Sequence, residues 1–461
     1  MKLRTGLTTL LIIIVFYSSS LSQEKTAFSL KDAQEYALLN SLTIKNSEID
    51  LSLARKKIWE TTAIGLPQIS AQANYQHVFD VPMLSLGGTT FLTTDLPEGT
   101  PILSDDILDE RVSLGFEPLP AVPLAVKDNT TLDITVSQLV FSGEYLVGLR
   151  ASKVFYLVSD QNKVMVENDV RESVANTYTL VLKLSKNHEV MQQSFDNLNR
   201  TLAEMREMNK QGFIEVTDVD QIELTTLTLQ NGLNSMERQV NASLELLKFQ
   251  MGYPIANEIS LTDNLESMAE EISLEGSGFS DFRVDDNITY QIMETQVQLG
   301  KLNLQREKST FLPNLAAVYR HTEKFKKIDF DFMPADIFLL TLNIPILSSG
   351  QRWVKVQQRR LEYDKAVNNR DNVAQGLQLE FINARNELVN AYDNYMNNKK
   401  NLELTSRIYD KTLIKFREGL STSMDLTQAQ NQMLTAQSEY INNMNALLTA
   451  KHRIIKLTTN Q

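Results

Sequence analysis

The sequence predicts a mainly α-helical chain with a small β-barrel part, in which long antiparallel coiled-coil helices run on from two-faced strands and the whole unit occurs twice. Three observations carry this. Leu132 to Ser137 alternate apolar and polar residues, the signature of a strand with one face of each kind. Leu149 to Gln211 contain neither Pro nor Gly, and their apolar residues recur at helical spacing. The corner between them, Gln138-Leu139-Val140-Phe141-Ser142-Gly143, is followed much later by a second, Ile344-Pro345-Ile346-Leu347-Ser348-Ser349-Gly350.

Composition narrows the class. Of 461 residues only 17 are Gly and 11 Pro, with no Pro between Pro123 and Pro254 or after Pro345, which leaves room for very long helices. A net charge of −12 argues against a nucleic-acid partner, because phosphate binding needs a basic face. With no Cys, disulfides, thiolate metal sites and a lipid-modified N-terminal Cys are all excluded. Lys2 and Arg4, the apolar run Leu10 to Tyr17 and the small residues after it have the form of a secretory signal, so residues 1–22 are expected to be removed. Eight apolar residues cannot span a bilayer, which needs about 20, and no later run is long enough. An exported chain of this kind enters a membrane only as a closed β-barrel.

In order, Phe28 to Leu66 is expected to be helical, stopping at Leu66-Pro67. Ile69, Ala71, Ala73 and Tyr75 then alternate with Ser70, Gln72, Asn74 and Gln76, a second two-faced strand. Residues 78–130 carry Gly87-Gly88 and six prolines without a sustained period and are expected to be a long loop, with a short ordered apolar piece near Leu119 to Leu124. A strand from Leu132 to Phe141 leads into the first corner.

The helix that follows would be on the order of 100 Å long at about 1.5 Å per residue. Val174, Val181, His188, Phe195 and Leu202 form its stripe. It turns at Gly212 to Asp218, where Thr217 or Asp218 is placed as N-cap, and returns from Val219 to Gly252-Tyr253-Pro254, a helix stop. Residues 255–285 read as an acidic connector.

The programme then restarts. Leu66-Pro67 recurs as Leu312-Pro313, and Gly143, Gly212 and Asp218 recur as Gly350, Gly419 and Asp425, each of the last three 207 residues on. Such an unbroken offset is the mark of internal duplication. The first repeat is taken as residues 23–254, with a strand hairpin over 68–141 and a helical hairpin over 144–251. The second is taken as 286–461, with a strand hairpin over 314–346 and a helical hairpin over 351–457. Phe381, Leu388, Tyr395, Leu402, Tyr409 and Phe416 form one seven-residue stripe, and Leu426, Met433, Tyr440, Leu447 and Ile454 the other, with small Ala429, Ala436 and Ala450 between. A period of seven implies left-handed coiled-coil packing. Four strands cannot close a membrane barrel, since the smallest have eight. Oligomerisation follows from that count.

The duplicated Leu-Pro before a strand, the Gln138–Gly143 corner, the Gly212–Asp218 turn and the Phe249-Gln250-Met251-Gly252-Tyr253-Pro254 end, in this order, resemble the TolC family of outer-membrane efflux proteins over nearly the whole mature chain. The resemblance implies a homotrimer in which each protomer gives four strands to one twelve-stranded barrel in the outer membrane of a Gram-negative bacterium, and long helices to a periplasmic tunnel. It further implies contact with outer-membrane lipid, a periplasmic adaptor (membrane fusion) protein and an inner-membrane pump of RND or ABC type.

Candidate sites are weighed accordingly. His77, His188, His321 and His452 lie far apart and lack metal-ligand spacing, and no phosphate loop or nucleophile signature occurs. No catalytic residue, metal or cofactor is expected, and the chain is not read as an enzyme. Gln138, Phe141, Gly143, Pro345 and Gly350 are expected to be strand-to-helix joints.

Asp218 and Asp425 follow the helical turns, and as simple N-caps each would contribute about 1 kcal/mol. Within the family resemblance, three copies of Asp425 would form a charged ring at the tunnel's periplasmic entrance, with Asp218, Gln428 and Phe416 as further entrance residues. Gln428 stands where some relatives carry a second aspartate, and Phe416 lacks the hydroxyl that could latch a closed entrance. Gly212, Phe213, Val216, Gly419 and Leu420 would be the adaptor-contacting tips. The alternative from another class is a secreted or surface coiled-coil scaffold or adhesin without a pore, against which the two-faced strands argue.

Overall fold

The computed structural model describes residues 26–84, 87–94, 112–118, 121–123, 125–273, 282–326 and 333–459. The expected signal, residues 1–22, lies outside them. The chain is mostly helical and divides into two compact units. One comprises residues 57–152 and 301–360, the other residues 1–56, 153–300 and 361–461.

The first unit is built on a four-stranded antiparallel sheet, order β10-β9-β7-β2, of β2 (Gln68–His77), β7 (Asp128–Phe141), β9 (Asn314–Lys324) and β10 (Asp336–Asn343). Pro67 and Pro313 stand just before β2 and β9, where a missing N–H and a fixed φ end a helix without costing the sheet a ladder bond.

The register sorts the side chains. His77 pairs with Asp128, Ala73 with Leu132, Ile134 with both Ala71 and His321, and Tyr319 with both Val136 and Phe338. Opposed residues share a face, so one face carries Ile69, Ile134, Tyr319, Phe338 and Leu340, all exposed or partly so. The opposite face carries Gln72, Asn74, Asp133, Thr135, Arg320 and Thr322. Two faces of opposite character hold for β2 and β7 but less so for β9 and β10, where Ala316 and Val318, and Ile337 and Leu339, are apolar on the polar side as well. Both β2 and β10 end the sheet with an unpaired edge.

The expected long loop over residues 78–130 is partly strand. β4 (Gly88–Thr94) pairs with β5 (Val112–Pro118), and β3 (Met83–Leu84) with β6 (Val122–Pro123). β7 begins at Asp128, four residues before the alternation becomes regular. The ordered piece expected near Leu119 to Leu124 is in part β6, and 119–120 and 124 lie outside the described residues. Pro118 and Pro123 disguise these strands: each sits at the end of its ladder, where no N–H is needed.

In the helical unit, Phe28 is not helical as expected. It lies in β1 (Ala27–Phe28), which pairs in parallel with β8 (Ser260–Leu261) inside the predicted connector. Ser29 accepts from Asp32 N and Asp32 reaches back to Ser29 N, a capping box that starts α1 (Leu30–Asn40) only at Leu30. α2 (Leu42–Ala63) follows. Phe28, Tyr36 and Tyr253 stack edge-on or tilted at 5.5–5.7 Å, over Val174, Leu247 and Met251. The buried Tyr178 hydroxyl donates to the Phe28 carbonyl at 2.9 Å. Burial raises that phenol's pKa.

The long helices are α3 (Gly143–Lys210), α4 (Val216–Met251), α7 (Gln351–Arg417) and α8 (Ser423–Thr458), with the short α5 (Leu265–Glu270) and α6 (Ile288–Ser309) between the pairs. The seven-residue stripes are the seams: Leu388, Tyr395, Leu447 and Ile454 are buried in one cluster, with Phe381 and Leu402 packed on it. Val174, Val181 and Leu202 are buried along α3, whereas His188 and Phe195 are only half-buried.

Candidate functional site

The two helical turns at the ends of α3 and α7 are the chemically distinctive part of the helical unit. Gly212 and Gly419 have φ of +79° and +72°, which only glycine adopts without strain. At the first turn Gly212 N donates to Asn209 O (2.9 Å) and Phe213 N to Met208 O (3.0 Å). At the second, Gly419 N donates to Phe416 O (3.0 Å) and Leu420 N to Lys415 O (2.8 Å). Both are Schellman motifs, which normally bring the residue after the glycine into an apolar contact.

A third copy provides the comparison. At the end of α4, Gly252 N donates to Phe249 O and Tyr253 N to Lys248 O, and Tyr253 is 3% exposed in the core. In the same backbone position Phe213 and Leu420 are each 73% exposed, and Val216 is exposed beside Phe213. The backbone alone therefore does not require the tip residues to stand in water.

The helices after the turns begin earlier than expected. N-cap status for Thr217, Asp218 or Asp425 is not what the structure has. Glu215 is the N-cap of α4, with no side-chain capping bond, and Thr422 is the N-cap of α8. Asp218 and Asp425 are both third helical residues, one turn inside, because the chain is already helical before its first apolar seam residue.

Asp425 completes a capping box with Thr422. Thr422 N (3.0 Å), Thr422 Oγ1 (2.8 Å) and Ser421 Oγ (3.1 Å) donate to its carboxylate, while Asp425 N donates to Thr422 Oγ1 at 3.1 Å. The Thr422 bonds, with the Ser421 hydroxyl, hold its pKa below the ordinary carboxylate value, so it carries a full negative charge at neutral pH while exposed. Asp218 makes no such box. It accepts instead from the Ser423 hydroxyl of the other turn. Ser423 was missed in the sequence, although Thr422-x-x-Asp425 is itself a capping-box signature that marks where α8 starts.

Gln428 is exposed on α8, on an open groove of about 690 Å³ lined by amides and hydroxyls including Gln221, Asn401, Thr405 and Asn431. Phe416 points inward: half-buried, it packs on both tip clusters, with Leu202 and Met205 in one and Tyr409 and Leu426 in the other. The structure thus brings Asp218 to the second turn, leaves Asp425 and Gln428 exposed, and puts Phe416 in the core.

The two joints in the sheet unit are not conformational twins. Gly143 is the first residue of α3, and a Cβ there would stand 2.7 Å from Leu312 Cδ1 and 3.1 Å from Ser309 Cβ, so close approach explains it. Gly350 has open space but φ +83°, so handedness explains it. Gln138 pairs with Ala317, and Phe141 with Leu315 across an irregularity between Leu139 and Phe141 that ends the regular ladder. Pro345 lies past the last residue of β10, not in a strand as the 314–346 hairpin implied.

Among the described residues no helix is long and apolar enough to cross a membrane. Long helices together with a small antiparallel sheet are also the fold of solved outer-membrane proteins and channels. The solved structures that the chain resembles are of that kind. It covers 94% of itself and 96% of the outer membrane protein VceC of Vibrio cholerae (TM-score 0.70, 14% identity). For the Campylobacter jejuni CmeC outer membrane channel the shares are 95% and 90% (0.69, 15%), and for the open state of the Neisseria gonorrhoeae MtrE outer membrane channel 93% and 88% (0.68, 14%). A comparison with curated protein sequences gives no match. Residues 291–460 match the family described as outer membrane efflux protein. Residues 291–460 thus carry the domain of that family, and nearly the whole chain has the fold of these solved outer-membrane structures.

Proposed function

We propose that the chain is the outer-membrane exit duct of a tripartite export system, working as a homotrimer that conducts substrates passively. Energy would come from an inner-membrane pump of RND or ABC type through a periplasmic adaptor. The observation that carries this reading is the four-stranded sheet with two unpaired edges and an exposed apolar face. Free ladder edges are not tolerated in hydrocarbon. Joining β10 of one copy to β2 of the next is antiparallel and removes both, and three copies give the twelve strands of a closed barrel with the apolar face toward lipid.

The tips then fall into two roles. Phe213, Val216 and Leu420, beside Gly212 and Gly419, would meet the adaptor at the periplasmic end. Three copies of Asp425 would make a negative ring at the entrance, with Asp218, Gln428 and Phe416 around it. Like charges drawn together favour cations and oppose tight closure. The structural repeats 23–254 and 286–461 would be two halves of one protomer, and the Gln138–Gly143 and Pro345–Gly350 corners the passage from barrel to tunnel.

The test is to isolate the protein from an outer-membrane fraction, follow heat-modifiable migration and record conductance in planar bilayers. A trimer-sized band that collapses on boiling, with discrete channel steps, is expected. A monomer in the secreted fraction without conductance would replace this reading by the coiled-coil scaffold.

A further inference from the structure

The sheet unit holds one small network twice. Tyr75 Oη donates to Asp128 Oδ1 at 2.9 Å, and His77 Nδ1 lies 2.7 Å from the same oxygen. Tyr319 Oη and His321 Nδ1 each lie 2.7 Å from Asp336 Oδ1. The ladder explains the repetition: His77 opposes Asp128 and His321 opposes Asp336, so a Tyr-x-His on one strand meets an Asp at the start of its partner. Both networks stand at the same end of the apolar face.

The copies differ two residues after the histidine. In the first, Phe79 packs edge-on against the His77 ring at 4.9 Å, and Lys326 Nζ lies 3.9 Å from Asp128. In the second the position is Glu323, whose Oε2 lies 3.8 Å from His321 Nε2. That is too long for a hydrogen bond. A carboxylate that accepts the Nδ1 proton fixes the imidazole tautomer and leaves Nε2 with its lone pair outward, the usual arrangement behind a metal-ligating histidine. Two ligand atoms each about 2.1 Å from a zinc-like ion, at an angle of about 130°, lie about 3.8 Å apart. Two carboxylates beside the imidazole also select a cation over an anion.

We propose that His321 Nε2 and Glu323 form a surface site for one divalent transition-metal ion of the zinc class, with Asp336 and Tyr319 as positioning residues and water completing the coordination. Among the described residues no three His, Cys, Asp or Glu side chains could hold a metal together, so this is an open two-ligand site. The first copy lacks it because Phe79 stands where Glu323 does.

The experiment is a calorimetric titration of the full chain, purified in detergent without an affinity tag and stripped with chelator, with Zn²⁺. One saturable ion per chain is expected. Glu323→Gln, an exposed and nearly isosteric change, should weaken binding at least tenfold, and so should His321→Asn. Asp336→Asn should weaken it about 10- to 100-fold. His77→Asn should leave it unchanged, with heat-modifiable migration confirming that each variant folds. Zinc-edge X-ray absorption should report one imidazole nitrogen among oxygens. No saturable binding, undiminished binding by Glu323→Gln, or loss of binding in His77→Asn would overturn the proposal.

Discussion

The Ser423 hydroxyl donates a hydrogen bond to Asp218 Oδ1, tying the first residue of α8 to the third residue of α4 and so one helical turn to the other. A bond to a charged, partly buried acceptor contributes about 1.5 kcal/mol. Arg417, paired with Glu204 at 3.5 Å, spans the same region and is a trypsin site. Ser423→Ala should therefore raise the rate of limited tryptic cleavage at Arg417 about tenfold, since cleavage follows the population of the opened turn. An unchanged rate would mean that the turns are joined by packing alone.

Asp425 should act through its charge and its cap. In planar bilayers Asp425→Asn keeps the side-chain shape and removes the charge, so cation preference should fall while channel steps persist. Its folded pKa is depressed, so the cap contributes fully above the ordinary value of 3.8 and is lost as pH falls through the folded value. Conductance noise from a loosened entrance should rise only in that acid range. Unaltered selectivity in Asp425→Asn would remove the ring from the account.

Phe213 and Leu420 are exposed where Tyr253, in the same backbone motif, is buried. Phe213→Asp with Leu420→Asp should leave trimer yield unchanged and weaken binding of the periplasmic adaptor at least tenfold in a pull-down titration with the cognate adaptor. Full binding by the double variant would place the contact elsewhere.

His452 reports on the interior of the helical unit. It is buried, bonds Asn176 at 3.1 Å, and lines a cavity of about 310 Å³ with Arg171, Glu172, Lys451 and Lys456. Desolvation, with Lys451 adding to it, pushes its pKa down to about 4 from 6.5. The unfolded chain thus binds a proton that the folded chain refuses, and stability falls as pH drops from 6.5 toward 4, by up to roughly 3 kcal/mol. Urea midpoints followed by circular dichroism at pH 7 and 4.5 should differ in the native chain and converge in His452→Leu.

The long periodic elements were legible because their physics is local. A seven-residue stripe such as Leu388–Tyr395–Leu402, or the alternation Ile69 to Tyr75, declares its own buried or apolar face. What was not legible depends on partners distant in sequence. Phe28 becomes a strand because Ser260–Leu261 lies beside it, and the 78–130 segment forms ladders that its prolines disguise. At the site, the glycine turns and exposed tips were readable from Gly212-Phe213 and Gly419-Leu420. The true caps were readable only in Thr422-x-x-Asp425, while the Ser423–Asp218 bond joins residues about two hundred positions apart. Gly143 and Gly350 share a sequence offset but not a cause, since one answers to Leu312 and Ser309 and the other to its own φ.

The central claim is that β10 of one copy pairs with β2 of the next. Because the chain has no Cys, cysteines placed at Ala71 on β2 and Leu340 on β10, and at neighbouring same-face positions to scan register, are the only thiols present. The two strands are at opposite edges of the sheet, so a disulfide between them forms between copies. Oxidation of outer membranes should convert at least one such pair into a covalent, boiling-resistant trimer, while each single-cysteine protein runs as a monomer after boiling. A scan in which no pair cross-links in a conducting preparation, or one that yields only dimers, would contradict the shared barrel.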